Sequence, residues 1–192
     1  MPVSNAPPAA PAGLAVTVSG TTVFLHWNAP LDDHTPSAGL SYNVRIGSTP
    51  GASDVLAPMA FTNGLRLLPA LARTQTTDAS FNLSRLPPGR TYYWSVQAVD
   101  TSFAGSPFAT EGTFFTVPLL INPVRFPGGT FEFYFTNQTV LNFDVLVSTN
   151  VALPVGSWNN LGPAVHLGGG YYRSTDAGSI GQVQRYYRLR SQ

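Results

Sequence analysis

Residues 86–100 read LPPGRTYYWSVQAVD, and this stretch decides which fold the sequence predicts. Successive side chains of a β-strand point to opposite faces of a sheet. A strand here would therefore present one wholly apolar face, made of Tyr92, Trp94, Val96 and Ala98. Such a face predicts a core strand. The opposite face would begin with Tyr93, and it could be a binding platform, an interface or plain surface.

Short apolar runs with a period of two recur along the chain, and Gly, Pro, Asn or Asp interrupts them. The pattern predicts strands over residues 14–18, 22–27, 41–46, 80–83, 91–99 and 112–116, with a further strand near 55–60. No stretch has the period and length of a long amphipathic helix. Regularly spaced short strands with turn residues between them indicate a β-sandwich.

The charge balance excludes several classes of partner. Charged residues make up 10% of the 192-residue chain, against about 25% in an average soluble protein. The formal net charge is +1, and the sequence holds neither a basic patch nor an acidic run. Nucleic acids and anionic membranes are therefore not expected as partners, because no strong field exists to attract them.

Two residue types are missing from the sequence, and each absence excludes the reactions and crosslinks that need that side chain. The chain has no cysteine, so disulfides and thiolate metal sites are excluded. It also has no lysine, since all ten basic residues are arginines. Schiff-base catalysis, a phosphate-loop lysine and a lysine isopeptide crosslink are excluded with it.

Two motifs of the first half carry a family resemblance. VFLHWNAP, residues 23–30, alternates apolar side chains up to Trp27, and LPPGRTYYW, residues 86–94, places Leu86 and Gly89 ahead of Tyr92. With these motifs the first half resembles a fibronectin type III domain, a family that shows the second spacing before its penultimate strand. The resemblance implies that Trp27 is the core tryptophan and that the Tyr92 hydroxyl bonds back to the upstream backbone. It covers residues 12–118 and departs from the common pattern by a long excursion over residues 47–79. The family serves chiefly as a spacer and a recognition scaffold.

The rest of the chain, residues 119–192, predicts a second and smaller β-sandwich. Phe131, Phe133 and Phe135 alternate with Glu132 and Tyr134, and shorter aromatic runs follow. This part loosely resembles the small C-terminal β modules of secreted multidomain bacterial proteins. The fold class is therefore all-β, with two tandem sandwiches. The apolar connection VPLLINPVRFP predicts that residues 119–121 are buried at a junction between the two.

The N-terminal residues 1–11 contain four prolines among small residues and predict a semi-rigid linker. They lack the charged start and apolar stretch of a signal peptide, and no later stretch reaches the roughly 18 apolar residues of a membrane span. The chain is then either cytoplasmic or a mature piece of an exported protein. The first half is also similar to the fibronectin type III variety of large exported bacterial proteins, which implies an extracellular or cell-surface location with the signal peptide removed or upstream.

The sequence predicts no catalytic site, no cofactor and no metal site. None of the three histidines has a second histidine at metal spacing, and no serine sits in a nucleophile-elbow motif. Only Asp32, Asp33 and His34 cluster ionisable groups. They could hold a cation together with loop carbonyls, or the aspartates could cap a turn, which is the interpretation that we prefer.

Aromatic side chains on the non-core faces are the candidate site residues. Those that the alternation assigns to an interface or platform are Phe24, Tyr93, Tyr134, Trp158, Tyr171, Tyr172, Tyr186 and Tyr187, with one member of each tyrosine pair expected to point outward. They could be scattered surface aromatics with cross-strand partners. They could also serve contact between the two sandwiches, contact with another copy, or sugar stacking.

Two functions remain. The first is a non-catalytic extracellular structural or adhesive module, a subunit of a surface stalk or self-assembling filament whose partners are other copies or neighbouring modules. The alternative is an accessory carbohydrate-binding module of an exported enzyme, which would use Trp158 or the tyrosine pairs as a platform. An enzyme is not expected.

Overall fold

The computed structural model describes residues 4–19, 21–137 and 142–192. The chain divides into two compact units: the first holds residues up to Leu86 together with Thr91–Phe115, and the second holds Pro87–Arg90 with Thr116–Gln192. In the described ranges the regular elements are thirteen β-strands and four single 3₁₀ turns. The predicted all-β class is confirmed.

The first unit is built from two three-stranded antiparallel sheets. Its strands are β1 (Ala12–Ser19), β2 (Thr22–Asn28), β3 (Ser41–Gly47), β4 (Asp78–Asn82), β5 (Thr91–Val99) and β6 (Gly112–Phe115). One sheet has the order β1-β2-β4 and the other β3-β5-β6. All six of these strands were predicted. The further strand near residues 55–60 was wrong, because Leu56 and Ala60 form only isolated bridges.

The core between these sheets is aromatic. Trp27 is fully buried; its ring lies 5.4 Å from that of Tyr42 in an edge-on arrangement and 6.3 Å from that of Trp94. Tyr92 is buried and stacks on Phe114 with 5.5 Å between ring centres. The predicted core positions of Trp27 and Tyr92 are confirmed. The hydrogen bond of the Tyr92 hydroxyl to the upstream backbone stays a prediction.

The described part of the N-terminal segment is hydrogen-bonded to the first unit. The Asn5 side-chain amide donates to Asp100 Oδ2 over 2.8 Å, and the Ala9 N–H donates to the Leu31 carbonyl over 3.0 Å. Pro8 is also buried. The linker role predicted for residues 1–11 stays a prediction, and residues 1–3 lie outside the described residues.

The second unit also consists of two antiparallel sheets. Its strands are β7 (Leu120–Arg125), β8 (Phe131–Thr136), β9 (Phe143–Ser148), β10 (Asn159–Pro163), β11 (Val165–Gly168), β12 (Tyr171–Asp176) and β13 (Tyr186–Ser191). One sheet has the order β11-β12-β8-β7 and the other β10-β9-β13. Phe135 of the first sheet stacks on Tyr172 at 5.0 Å and meets Phe143 of the second sheet edge-on at 5.4 Å. Aromatic contacts of this kind join the two sheets into one core.

The predicted burial of residues 119–121 is wrong for the two leucines. Leu119 is 64% exposed and Leu120 is 38% exposed, while Ile121 is partly buried. Leu120 and Ile121 belong to β7, which is an edge strand of its sheet. A side chain on an edge strand has neighbours on one side only, so apolar character alone did not decide its burial. None of the helical turns within the described ranges has the length and apolar character needed to cross a membrane.

We expect Trp27→Ala to lower the free energy of unfolding by about 3–5 kcal/mol, since it leaves a large cavity in the aromatic core. The measurement is chemical denaturation of the full chain. Phe24→Ala is the matched control, because Phe24 lies on the same strand and points to solvent. Equal and small effects of the two substitutions would contradict the placement of Trp27 at the centre of the core.

Candidate contact surface

The outer face of β5, opposite to the core, is buried in the first unit. Gln97 on this face is fully buried, and its amide makes three hydrogen bonds. Nε2 donates to the Gly64 carbonyl over 2.5 Å and to the Ser106 carbonyl over 2.8 Å, while Oε1 accepts from Asn43 Nδ2 over 3.1 Å. Ser95 on the same face donates to the Ala109 carbonyl. Loops therefore cover this face and satisfy its polar groups.

A short hairpin within the long excursion supplies part of this cover, and we call residues 59–67 the apolar hairpin. The Phe61 N–H donates to the Leu65 carbonyl over 2.9 Å, and the Leu67 N–H donates to the Met59 carbonyl over 3.1 Å. These two bonds join its arms in antiparallel fashion. Side chains therefore alternate between the side facing β5 and the side facing solvent.

The turn of the apolar hairpin requires a glycine. Gly64 has a φ of +89°, and its N–H donates to the Phe61 carbonyl over 2.9 Å. A Cβ at this position would lie 2.9 Å from the backbone oxygen of Ser106. Asn63 supports the turn by accepting the Leu65 N–H with its side-chain oxygen. The glycine thus lets the turn approach the loop beneath it closely enough for Gln97 to bond.

The solvent side of the apolar hairpin and of the residues that follow it is apolar. Six large side chains there are 48–62% exposed: Met59, Phe61, Leu65, Leu67, Leu68 and Leu71. Single exposed apolar residues are ordinary on protein surfaces. A group of six within thirteen residues is not ordinary, and such clusters mark interaction sites. We call these six side chains the contact surface.

The inward side of the apolar hairpin carries a cation in place of an apolar residue. Ala60 and Arg66 pair across the hairpin, and Arg66 Nη2 donates to the carbonyls of Leu68 and Ala70. Arg66 Nε and Nη1 are buried and have no hydrogen-bond partner among the described residues. Burial lowers the pKa of Arg66. The segment thus turns its charge inward and its apolar side chains outward. Surface loops usually show the opposite arrangement.

The two predicted aromatics of the first unit lie on opposite sheets. Phe24 is half-exposed on the outer face of β2, beside His26, whose Nδ1 is 2.7 Å from Asp78 Oδ1. Tyr93 lies partly buried on the outer face of β5. Neither belongs to the contact surface, so the sequence prediction named different residues on this unit.

The tyrosines of β12 and β13 differ in their exposure to solvent. Tyr171 is 51% exposed, whereas Tyr172 is 3% exposed within the core. Tyr171 is therefore the outward member that the alternation along β12 called for, and Tyr172, the inward member, is not available as a platform residue. Tyr186 and Tyr187 are both partly buried, and the Tyr187 hydroxyl donates to Asp176 Oδ2 over 2.9 Å.

Tyr134 and Trp158 are both engaged by polar contacts. The Tyr134 hydroxyl donates to Glu132 Oε1 over 2.7 Å, and this bond raises the pKa of Tyr134. Trp158 is partly buried, and its Nε1 donates to the Leu153 carbonyl over 3.0 Å. Of the aromatics predicted in the second unit, Tyr171 thus keeps the most open ring.

Of the two aspartates in the loop after β2, Asp32 caps a turn, while Asp33 accepts the Ala6 N–H. Asp32 Oδ2 accepts the N–H groups of His34 and Thr35, the latter over 2.6 Å. Asp33 Oδ1 lies 2.9 Å from His34 Nδ1, and this contact lowers the pKa of Asp33. Within residues 4–19, 21–137 and 142–192, no group of three or more His, Asp or Glu side chains is placed to hold a metal ion.

The sequence contains a signal for the apolar hairpin that the strand pattern of residues 47–79 alone does not reveal. MAFTNGLRL, residues 59–67, places Asn-Gly between two arms of alternating apolar residues. That arrangement is a strong short-range indication of a hairpin. The hairpin lies inside the long excursion over residues 47–79, which the family pattern does not cover.

Comparison with known proteins gives the family of the first unit. The model of the fibronectin type III domain matches residues 9–113. No curated protein matches the chain.

Three solved structures illustrate the similarity. The spore cortex lytic enzyme SleM of Clostridium perfringens is 24% identical with a TM-score of 0.38, covering 57% of this chain and 29% of that chain. The FN1-FN3 domains of chicken CNTN1 are 10% identical with a TM-score of 0.39. That match covers 97% of this chain and 63% of the chicken chain. An alpha-L-rhamnosidase from Dictyoglumus thermophilum is 13% identical with a TM-score of 0.43. That match covers 76% of this chain and 18% of the rhamnosidase chain. The chain spans less than two thirds of the length of each.

We expect Gln97→Ala to lower the free energy of unfolding by about 1–3 kcal/mol, because buried partners lose their hydrogen bonds. Amide exchange should also accelerate at Phe61 and Leu67, whose N–H groups join the arms of the apolar hairpin. Hydrogen exchange with mass spectrometry measures this. Gln75→Ala, at an exposed position, is the control. Unchanged exchange in Gln97→Ala would show that Gln97 does not anchor the apolar hairpin.

We also expect chelation to leave the thermal midpoint unchanged, because N–H donors already occupy Asp32 Oδ2. Differential scanning calorimetry with and without EDTA is the measurement. The same scan with added Ca²⁺ is the complementary measurement, and it should also leave the midpoint unchanged. A lower midpoint on chelation, restored by Ca²⁺, would instead assign Asp32 and Asp33 as ligands.

Proposed function

Because the chain belongs to the fibronectin type III family through residues 9–113, we propose that it is a non-catalytic structural or adhesive module of an extracellular surface. The fold itself does not select a function, since function resides in the sites that a fold carries. Many cell-surface domains share this sandwich architecture, which supports the extracellular location. The choice among recognition roles therefore rests on the contact surface.

The observation that carries the proposal is the reversed polarity of the apolar hairpin. Its arms expose Met59, Phe61, Leu65 and Leu67, while Arg66 is turned inward. Water is a poor solvent for such a surface, and covering it removes apolar area from water. The arrangement is favourable when another apolar surface covers the side chains.

The partner that fits this surface best is a second copy of the chain. Residues 55–77 contain no acid, and their cations are Arg66, which is turned inward, and Arg73. A charged partner would lose hydration at such a surface without gaining an opposite charge. Another copy brings the same uncharged apolar side chains, and at a net charge of +1 the copies repel one another little.

Self-contact through this surface would supply one of the contacts that a stalk or filament needs, since a two-fold contact alone closes on a pair. In a two-fold contact the same patch meets itself, so each apolar arm packs against its equivalent. A contact of this kind holds two copies together and leaves the rest of each surface available for neighbouring modules. The chain thus acts as an assembly element.

A non-catalytic role is supported by the way acidic side chains are used. Glu111 pairs with Arg45 at 3.1 Å, Asp144 with Arg190 at 2.7 Å, and Asp100 accepts two loop N–H groups. Acids held in such contacts stabilise loops and strand ends. They are not placed as a pair across a cleft for acid-base chemistry.

The carbohydrate-binding alternative rests on the second unit. A sugar platform needs an open aromatic ring with polar groups beside it. Tyr171 meets the first requirement, and Arg173 lies on the same face of β12. Trp158 and Tyr172 do not meet it. This supports a weaker case than the contact surface, because one open ring gives little area.

We expect the full chain to self-associate in a concentration-dependent way and Leu65→Glu with Leu67→Glu to weaken that association at least about tenfold, as for central interface side chains. Sedimentation equilibrium is the measurement. The matched control is Val151→Glu with Leu153→Glu, an exposed apolar pair at the same spacing in the second unit.

Two results would contradict the proposal. One is a monomer at every concentration tested, and the other is equal weakening by the control pair. Thermal midpoints of both double variants should stay near that of the parent chain, since all four side chains are exposed. A large fall in the midpoint for the hairpin pair would show that these leucines stabilise the fold and do not form an interface.

A further inference from the structure

The second unit contains a cavity of about 250 Å³ with an aromatic wall and two guanidinium groups. Its principal lining residues are Arg125, Phe131, Gln182, Gln184, Arg185 and Tyr187. None of them belongs to the contact surface on the first unit. The volume is just below the roughly 300–1,000 Å³ of pockets for drug-sized ligands, so it accommodates a ligand of about one ring.

Consecutive carbonyls hold the two arginines at this cavity. Arg125 Nη2 donates to the Ser179 carbonyl over 3.1 Å, and Arg185 Nη1 donates to the Gly178 carbonyl over 2.9 Å. Because these carbonyls belong to neighbouring residues, both guanidinium groups gather at the same turn. Their positive charges therefore act on the same small volume.

One carboxylate neutralises only one of these arginines. Arg185 Nε lies 2.7 Å from Asp176 Oδ2, which is an ion pair without the alignment of a hydrogen bond. The same oxygen accepts the Tyr187 hydroxyl over 2.9 Å. In the part of the chain that the structure describes, no acid forms an ion pair with Arg125. The cavity thus has a net charge of +1 at neutral pH.

The phenol at the cavity adds no negative charge. Burial, followed by the hydrogen bond to Asp176, raises the pKa of Tyr187 to about 12. The hydroxyl is therefore protonated at physiological pH. Arg125 keeps its free donors for an anion that enters from solvent.

The wall of the cavity is suited to a flat apolar face. Phe131 and Tyr187 stack with 5.1 Å between ring centres and 19° between planes. Stacking covers one face of each ring, and the rest of the pair forms an apolar wall that can contact the apolar side of a sugar ring or of another aromatic ring. Together with Arg125 they favour a ligand that joins one flat ring to one negative charge.

The glutamine amides on the loop before β13 supply both hydrogen-bond donors and hydrogen-bond acceptors. Gln182 and Gln184 flank Val183, which is 99% exposed, at the cavity. Gln184 Nε2 donates to the Thr149 carbonyl at 3.4 Å, which leaves its Oε1 to accept. Neighbouring hydroxyls, which donate and accept, match two such amides. A ring that carries several hydroxyls fits this rim better than a purely aromatic acid does.

We propose that this cavity binds a hexuronate residue of an acidic polysaccharide, with Arg125 bonding the carboxylate and the Phe131–Tyr187 stack facing the ring. Gln182 and Gln184 bond the ring hydroxyls. The site is separate from the contact surface and does not depend on self-association. The chain then carries two recognition sites of different chemistry, one in each unit.

The test uses the full chain and glucuronate as the probe. In an NMR titration of ¹⁵N-labelled protein, shifts should concentrate at residues 125, 131 and 177–187. Arg125→Gln should weaken binding roughly tenfold to a hundredfold, the usual loss for a hydrogen bond to a charged group. Arg188→Gln, an exposed arginine of β13 that does not line the cavity, should leave binding unchanged.

Several outcomes would overturn the assignment. Equal binding of glucose would show that the carboxylate is not recognised, and equal binding of acetate would show that the ring is not. Tighter binding of a short peptide with a free terminal carboxylate would assign the cavity to a peptide. Absence of shifts with glucuronate, or equal losses in Arg125→Gln and Arg188→Gln, would exclude the site. Sedimentation of Arg125→Gln should match that of the parent chain, so failure here is distinct from failure of the self-contact.

Discussion

Burial of a polar face is the constraint on which the first unit depends. The outer faces of β3 and β5 carry Asn43, Arg45, Ser95 and Gln97, and all four are buried. A buried polar group without a partner costs about 1–3 kcal/mol, so each requires a hydrogen bond. Asn43 bonds to Gln97 on the neighbouring strand, whereas the other three also need partners outside the sheet. Loops supply these bonds, as when Arg45 donates to the Gly51 carbonyl over 2.5 Å. The excursion is therefore part of the fold and not an insertion on it.

Much of the first unit could be predicted because its strands follow local rules. The alternation around Trp27 and Trp94 assigned their side chains to the core, and the structure buries both. Residues 47–79 could not be placed by the same rules. Their course depends on bonds to the strands, as when Gln97 donates to the Gly64 carbonyl and the Ala72 N–H donates to the Ser41 hydroxyl, at sequence separations of 33 and 31. Such long-range bonds leave no periodic trace in the sequence.

The candidate sites were harder to predict than the fold, for a related reason. Alternation on β12 predicted that one of Tyr171 and Tyr172 is buried, but it did not say which. The choice depends on which face meets the opposite sheet, where Tyr172 packs edge-on against Phe143. The cavity beside Arg125 arises from tertiary structure as well, since residues of β7 and of the loop before β13 meet there. Sequence spacing could not bring them together.

The apolar hairpin shows why a pattern defines two faces without deciding which one meets water. In isolation the alternation in residues 59–67 would turn Met59, Phe61, Leu65 and Leu67 toward the sheet. The buried Gln97 amide favours the opposite orientation, because it takes the Gly64 carbonyl as its acceptor. With the turn fixed there, the apolar side chains are directed to solvent. One buried amide thus bonds to Asn43 within the sheet and at the same time holds the turn of the hairpin that exposes the apolar side chains.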